Sequence, residues 1–257
     1  MKQKYLFICG CPRSGTTALV RLLNSHPALA VGMERYKYYA SKKKISKINK
    51  SSFEFNSFFD LKDNQTNINW KYFYDELEPK YKLGVTYLGD KYPHYYRFYH
   101  RLNHNLGNVR WIFIVRDIAS IARSYNSRAA DPEDSWSADA DFTKAVEHWN
   151  ESLTETWKYQ KSNPSPKLFV CEYERLFAYD LDYLNSLFAF LELEQDERVV
   201  SFFEGMKQDW LDKKAQKSSS SVNLSQTELD YINEHANFGL KENLIKRFSV
   251  PHKVRVS

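Results

Sequence analysis

The sequence predicts an α/β protein of three layers, a central parallel sheet flanked by helices. Short, continuous, β-prone apolar runs alternate with stretches of helical periodicity from the N-terminus to about position 191. The runs are apolar throughout rather than alternating, as expected of strands covered on both faces. The first of them passes through a glycine-bearing loop straight into a helix. No linker divides the 257 residues, which predicts one domain over 1–257.

Tyr5 to Cys9 is the first strand and Ala18 to Asn24 the body of the first helix, with Leu19, Leu22 and Leu23 on one face. Between them lies Gly10-Cys-Pro-Arg-Ser-Gly-Thr-Thr17. A helix that starts on such a loop gathers unpaired backbone N–H groups at the positive end of its dipole, so an anion site is expected there. The spacing from Gly10 to Gly15, with Thr17 in the hydroxyl position, makes the predicted fold P-loop-like. Thr16, however, stands where a nucleotide triphosphatase has its Lys, and the loop's cation is Arg13. A small-molecule kinase on the same loop is the first alternative; the missing Lys argues against it. The second is a non-catalytic nucleotide-binding module.

Pro27 ends the first helix beyond His26, and Ala28 to Met33 reads as a second strand that delivers Glu34 and Arg35 to its C-terminal end. Ligands of open α/β sheets bind outside those ends, so Glu34 approaches the phosphate loop if the first two strands are neighbours. A carboxylate beside cations is a candidate general base. Residues 36–75 show no clean period. Lys42-Lys-Lys44, Lys47 and Lys50 with Phe53, Phe55, Phe58 and Phe59 read either as a solvated face over satellite core or as a cap on the acceptor side.

Lys82 to Leu88 is expected as a third strand, with Gly89-Asp-Lys-Tyr-Pro93 turning from its end toward a helix near His94 and aiming Lys91 at the same edge. Val109 to Val115 is the clearest central strand. Arg116 and Asp117 follow it at once. Asp117 is an N-cap, and the helix it starts carries Ser124 and Arg128, which with Arg116 form a cluster able to clamp a phosphate monoester. Asp141 to Gln160 is an amphipathic helix, Lys167 to Cys171 the last strand, and Leu181 to Leu191 a further helix. Residues 205–224 are polar, with Lys213, Lys214 and Lys217, and read as a surface loop or as a basic loop over a bound nucleotide. Ser225 and Glu228 then form a capping box.

At 42% hydrophobic and 27% charged residues the chain is globular, and its net charge of +5 implies no nucleic acid partner. Met1 to Lys4 lead directly into the first strand, and no run nears the roughly 20 apolar residues of a membrane span. A cytoplasmic protein is expected. Three cysteines at Cys9, Cys11 and Cys171 argue against a disulfide framework, and neither they nor His100 and His104 have metal-site companions, so no metal is expected.

Taken together, Pro12 to Thr17, Val115-Arg-Asp117, Ser124 and Arg128 resemble the sulfotransferases that use 3′-phosphoadenosine 5′-phosphosulfate (PAPS). His26-Pro27, Glu34-Arg35, Asp90-Lys-Tyr-Pro93, Tyr173-Glu-Arg-Leu176 and Val222-Asn-Leu224 extend the resemblance over positions 5 to about 230. The pattern is similar to tyrosylprotein sulfotransferases and their bacterial relatives, rather than to the cytosolic steroid and phenol enzymes, whose loop has Lys at the place of Arg13. The resemblance implies that Arg13, Ser14, Gly15, Thr16 and Thr17 hold the 5′-phosphosulfate. Arg116, Ser124 and Arg128 would take the 3′-phosphate, and Tyr173 and Lys217 the nucleotide. It implies Glu34 as base, with His94 as rival, and Arg13 and Lys91 as stabilisers of developing charge. The acceptor would be a hydroxyl or amine of a small molecule or glycan, a phenol included, and 3′-phosphoadenosine 5′-phosphate (PAP) the product.

Overall fold

The computed structural model describes residues 3–41, 44–163, 167–216 and 223–248. Five strands form one parallel sheet: β1 (Lys4–Gly10), β2 (Leu29–Met33), β3 (Tyr87–Lys91), β4 (Val109–Val115) and β5 (Leu168–Glu172). Their spatial order is β2-β3-β1-β4-β5. β1 thus lies at the centre, and Leu6, Phe7, Ile8 and Cys9 are wholly buried, which is why its sequence shows no polar face. Register pairs Met33 with Lys91, Ile8 with Lys91, and Gly10 with Ile114, so the C-terminal ends of β1, β2, β3 and β4 share one edge.

That order corrects one expectation and preserves its consequence. β2 is not next to β1, because β3 lies between them. Glu34 nonetheless reaches the loop after β1 through Lys91 at the end of β3. The chain leaves β1 toward one sheet edge and β4 leads to the other, which opens a crevice beyond the end of β1.

The helices are α1 (Thr16–Asn24), α2 (Lys37–Ser41), α3 (Phe55–Phe59), α4 (Lys71–Leu83), α5 (Tyr99–Leu106) and α6 (Ile118–Ala129). After them come α7 (Phe142–Ser162), α8 (Tyr173–Leu176), α9 (Leu181–Leu191), α10 (Glu197–Gln216), α11 (Gln226–His235) and α12 (Phe238–Phe248). α1 packs on β1, β2 and β3, α5 on β4, and α8, α9 and α12 on β5. Local signals fixed several ends. The Asp117 carboxylate accepts from the Ser120 amide at 2.7 Å, and Ser225 and Glu228 close both bonds of their capping box.

Three segments differ from expectation. Lys82 and Leu83 belong to α4, and the strand begins only at Tyr87, so Gly89, Asp90 and Lys91 are strand rather than turn. Gly89 is required there by contact, since a Cβ on it would lie 1.7 Å from the Leu6 carbonyl oxygen. Residues 205–216, expected in a loop, are the second half of α10; residues 217–222, Lys217 among them, lie outside the described residues. In 36–75, Tyr36, Phe53 and Phe58 are buried, with Phe53 against Tyr5 and Phe7 of β1, so these rings are core and unavailable to an acceptor. Lys44, Lys47 and Lys50 are exposed.

Candidate active site

The loop between β1 and α1 is built so that the backbone can approach a ligand. Gly15 precedes α1 with φ 98°, and a Cβ there would lie 2.6 Å from the Tyr173 ring. Among the described residues no side chain caps α1, and its first turn holds no acid, an arrangement that suits an anion at its N–H groups. Ser14 is fully buried, and its Oγ has no hydrogen-bond partner among the described residues. Such an orphaned hydroxyl is costly unless a ligand completes it.

Three arginines crowd this loop. Arg13 takes a left-handed conformation at φ 68°, a strain of about 1 kcal/mol or more, and its Nε donates to Ser124 Oγ at 2.9 Å. Arg116 donates through Nη1 to the Arg13 carbonyl at 3.1 Å and lies 4.1 Å over the Tyr173 ring; its buried Nε has no partner among the described residues. Burial, then the charges of Arg128 and Arg116, depress the Arg13 pKa. Positive charge is therefore in excess here. Arg128 is already committed, since its guanidinium holds both Asp134 oxygens at 2.5 and 2.6 Å and covers Trp136 at 4.6 Å.

A second cluster adjoins the first through Thr17. Lys91, 1% exposed, donates through Nζ to Glu34 Oε1 at 3.0 Å and to Thr17 Oγ1 at 3.3 Å. Lys37 holds the other carboxylate oxygen at 3.3 Å. Burial pushes the Glu34 carboxyl up, but Lys91 and Lys37 together outweigh it and hold the group below the usual carboxylate range. Glu34 is ionised at neutral pH.

Glu34 also has a left-handed backbone, φ 54°, and its neighbours show what imposes it. Its N–H donates to the Lys91 carbonyl at 2.7 Å, and its own carbonyl accepts from Thr66 at 2.8 Å. The fully buried Asp90 carboxylate accepts from the amides of Arg35 at 2.8 Å and Tyr36 at 3.1 Å and from the Tyr95 hydroxyl at 2.6 Å. Burial pushes Asp90 up to about 6 despite those donors. Arg35, buried beneath the turn, donates to the carbonyls of Ser57, Phe58 and Asp60 and to Gln65 Oε1.

His94 accompanies neither cluster by hydrogen bond. Its Nδ1 meets the Tyr96 hydroxyl at 3.0 Å and its ring packs on His148 at 5.1 Å. Burial, then Arg97 and His148, lowers its pKa to about 3, so it is a neutral and weakly basic imidazole.

The structure thus brings together Arg13, Ser14, Gly15, Arg116, Ser124 and Tyr173, and beside them Thr17, Lys91 and Glu34. Thr16 is buried in the first turn of α1. Sequence reasoning missed Lys37 as second partner of Glu34 and Asp90 as the anchor of its turn. For Lys37 a signal existed in its i+3 spacing from Glu34.

A family model described as "Sulfotransferase family" matches residues 6–197, most of the chain and all of the site just described. This chain belongs to the sulfotransferase family. Sulfotransferases of this family use PAPS, so the enzyme transfers a sulfuryl group from PAPS and releases PAP. The chain is similar in fold to a sulfotransferase from Mycobacterium avium, at 12% identity over 99% of this chain and 79% of that one, with a TM-score of 0.52. It is likewise similar to a sulfotransferase from Alicyclobacillus acidocaldarius, at 13% identity over 98% of each chain and a TM-score of 0.51. The sulfotransferase domain of a Synechococcus olefin synthase matches at 18% identity over 77% of each chain, TM-score 0.50. A comparison with curated protein sequences finds no match. Among the described residues of this sulfotransferase no helix is long and apolar enough to cross a membrane.

The loop suits a phosphosulfate on its own evidence. The orphaned Ser14 hydroxyl, the partnerless Arg116 Nε and the surplus of cations each call for an oxyanion, and Gly15 packs so closely on Tyr173 that no side chain fits at that position of the loop.

Proposed function

We propose that this sulfotransferase moves the sulfuryl group onto a hydroxyl, with Glu34 as the base. The acceptor is a small molecule or glycan, phenols included, and an amine is the second acceptor type. The observation that carries the reading is the chain Glu34–Lys91–Thr17, at 3.0 and 3.3 Å, which ties an ionised carboxylate to the first turn of the anion-binding helix.

PAPS supplies the sulfuryl group, whose bond to the 5′-phosphate oxygen breaks as a new S–O bond to the acceptor forms in line. Arg13, Ser14, Gly15, Thr16 and Thr17 bind the phosphosulfate end through side chains and the α1 amides. Arg116 and Ser124 take the 3′-phosphate, and Tyr173 supports the nucleotide with Arg116 stacked on it. Arg128 acts there from behind, by its charge, since Asp134 occupies its guanidinium. Lys217 is the late basic contact. Glu34 accepts the proton of the acceptor hydroxyl, while Lys91 and Arg13 stabilise charge on the transferred group and the leaving phosphate. These roles are positioning and electrostatics, which need no covalent intermediate.

We further read 1–257 as one catalytic domain, with the 36–75 segment on the acceptor side. Three buried free thiols, at Cys9, Cys11 and Cys171, favour work in the reducing cytoplasm. The test is a screen with sulfur-labelled PAPS against phenols, glycans, lipids and amines, followed by mass measurement of the product. A gain of one SO3 on a hydroxyl compound is expected. Transfer confined to amines would overturn the hydroxyl assignment.

A further inference from the structure

Away from the sulfuryl-transfer site, one cleft holds a cation that the fold leaves unmatched. It has a volume of about 320 Å3, opens between α1, α4 and α10, and is lined by Arg21, Asn24, Tyr72, Leu77, Lys80 and Phe202. Lys80 Nζ donates to the Asn24 carbonyl at the end of α1, at 2.5 Å, and among the described residues it forms no ion pair. The charge that most affects it is another cation, Arg198, itself paired with Asp196 at 2.8 Å. Burial lowers its pKa to about 8. Arg21 donates to the Tyr72 hydroxyl at 3.1 Å and likewise meets no carboxylate among the described residues.

A cation withdrawn from water without a counter-charge destabilises the fold unless something supplies one. The walls say what kind of body would bring it. Leu77 and Phe73 form a buried apolar floor, while Tyr72 and Phe202 stand 49% and 39% exposed at the mouth, two of the largest apolar side chains left in contact with water. Glu76 also lines the cleft, so two cations face one carboxylate and the lining carries a net charge of +1. That balance suits a monoanion and not a nucleotide.

We propose that the cleft between α1, α4 and α10 binds a small monoanion with an apolar body, its oxyanion on Lys80 and Arg21 and its body against Leu77, Tyr72 and Phe202. Carboxylates and sulfate esters share this chemistry. The site is separate from the phosphate loop, although α1 contributes to both.

Calorimetric titration of the whole protein with benzoate and with phenyl sulfate distinguishes the two sources, with benzamide as the uncharged control. We expect saturable binding of at least one anion and none of benzamide. Lys80→Met should weaken binding at least about tenfold, and Phe202→Ser, on the exposed rim, about threefold or more. Should Lys80→Met fail to fold, Phe202→Ser carries the test. Saturating PAP should leave the titration unchanged. The affinity should also fall from about pH 7 to about pH 9, as the amine loses its proton. The other charged groups facing Lys80 are Arg21 on α1, Glu76 on α4, Arg198 and Asp196 at the start of α10, and His26 beyond α1. Of these, His26 is held below its usual pKa by burial, Asp196 is held down by Arg198, and Arg198 is raised by Asp196, so all three move away from that range. Equal binding of benzamide, unchanged affinity in both variants, displacement by PAP, or no saturable binding of either anion would each overturn the proposal.

Discussion

Arg13 reaches across from the loop after β1 to Ser124 on the helix after β4, Nε to Oγ at 2.9 Å. The loop after β1 and the helix after β4, which we propose as the two halves of the nucleotide site, are thereby tied to each other. A preset arrangement of this kind reduces the ordering cost of binding.

Arg116 is the residue whose loss should separate PAP from simpler nucleotides. Arg116→Ala is expected to weaken PAP at least tenfold, about 1.4 kcal/mol, while ADP, lacking the 3′-phosphate, changes much less. Calorimetric titration of both nucleotides checks this; equal losses would remove Arg116 from the 3′-phosphate.

Glu34→Gln keeps the shape of the side chain and removes its ability to take a proton. PAP affinity should stay within about twofold, whereas kcat should drop by about 100-fold or more. Retained turnover in the labelled-PAPS assay would place the base elsewhere.

For Asp90, the expected effect is on the turn and through it on the reaction. Asp90→Asn leaves a single acceptor oxygen for the amides of Arg35, Tyr36 and Lys91 and the Tyr95 hydroxyl, which should cost about 2 kcal/mol of stability in urea unfolding. If Asp90 positions Glu34, kcat also falls in the folded variant with PAP binding intact.

His94 gives a prediction with a defined sign. Its folded pKa, about 3, lies below the ordinary value of 6.5. Between those values the unfolded chain binds a proton that the folded chain does not. Stability therefore declines as pH falls below about 6.5, and the decline should shrink in His94→Gln. Urea midpoints at neutral and mildly acidic pH test it.

What could be read in the sequence was what residues a few positions apart decide. Val109 to Val115 declared itself by seven residues without a breaker, and both N-caps, Asp117 and Ser225, by side chains three positions from the amides they satisfy. The strand–loop–helix of β1 and α1 was legible for the same reason. β3 was misread because Gly89-Asp90 looks like a turn, whereas its glycine answers to Leu6 on another strand and its aspartate to a turn 55 positions earlier. α4 escaped because Pro79 and mixed charges blur its period. Even the approach of Glu34 to the loop was legible only on the condition that β1 and β2 are neighbours, whereas β3 lies between them and supplies the link.

The guanidinium of Arg35 is held by the carbonyls of Ser57, Phe58 and Asp60, and backbone oxygens are present whatever the side chain. The anchor is thus indifferent to the identity of residues 57 and 60. On the proposed acceptor-side role of 36–75, drift in the side chains of this loop would alter the surface offered to acceptors while Glu34, Lys91 and the loop after β1 stayed in register, a division of labour that lets preference change without loss of the chemistry.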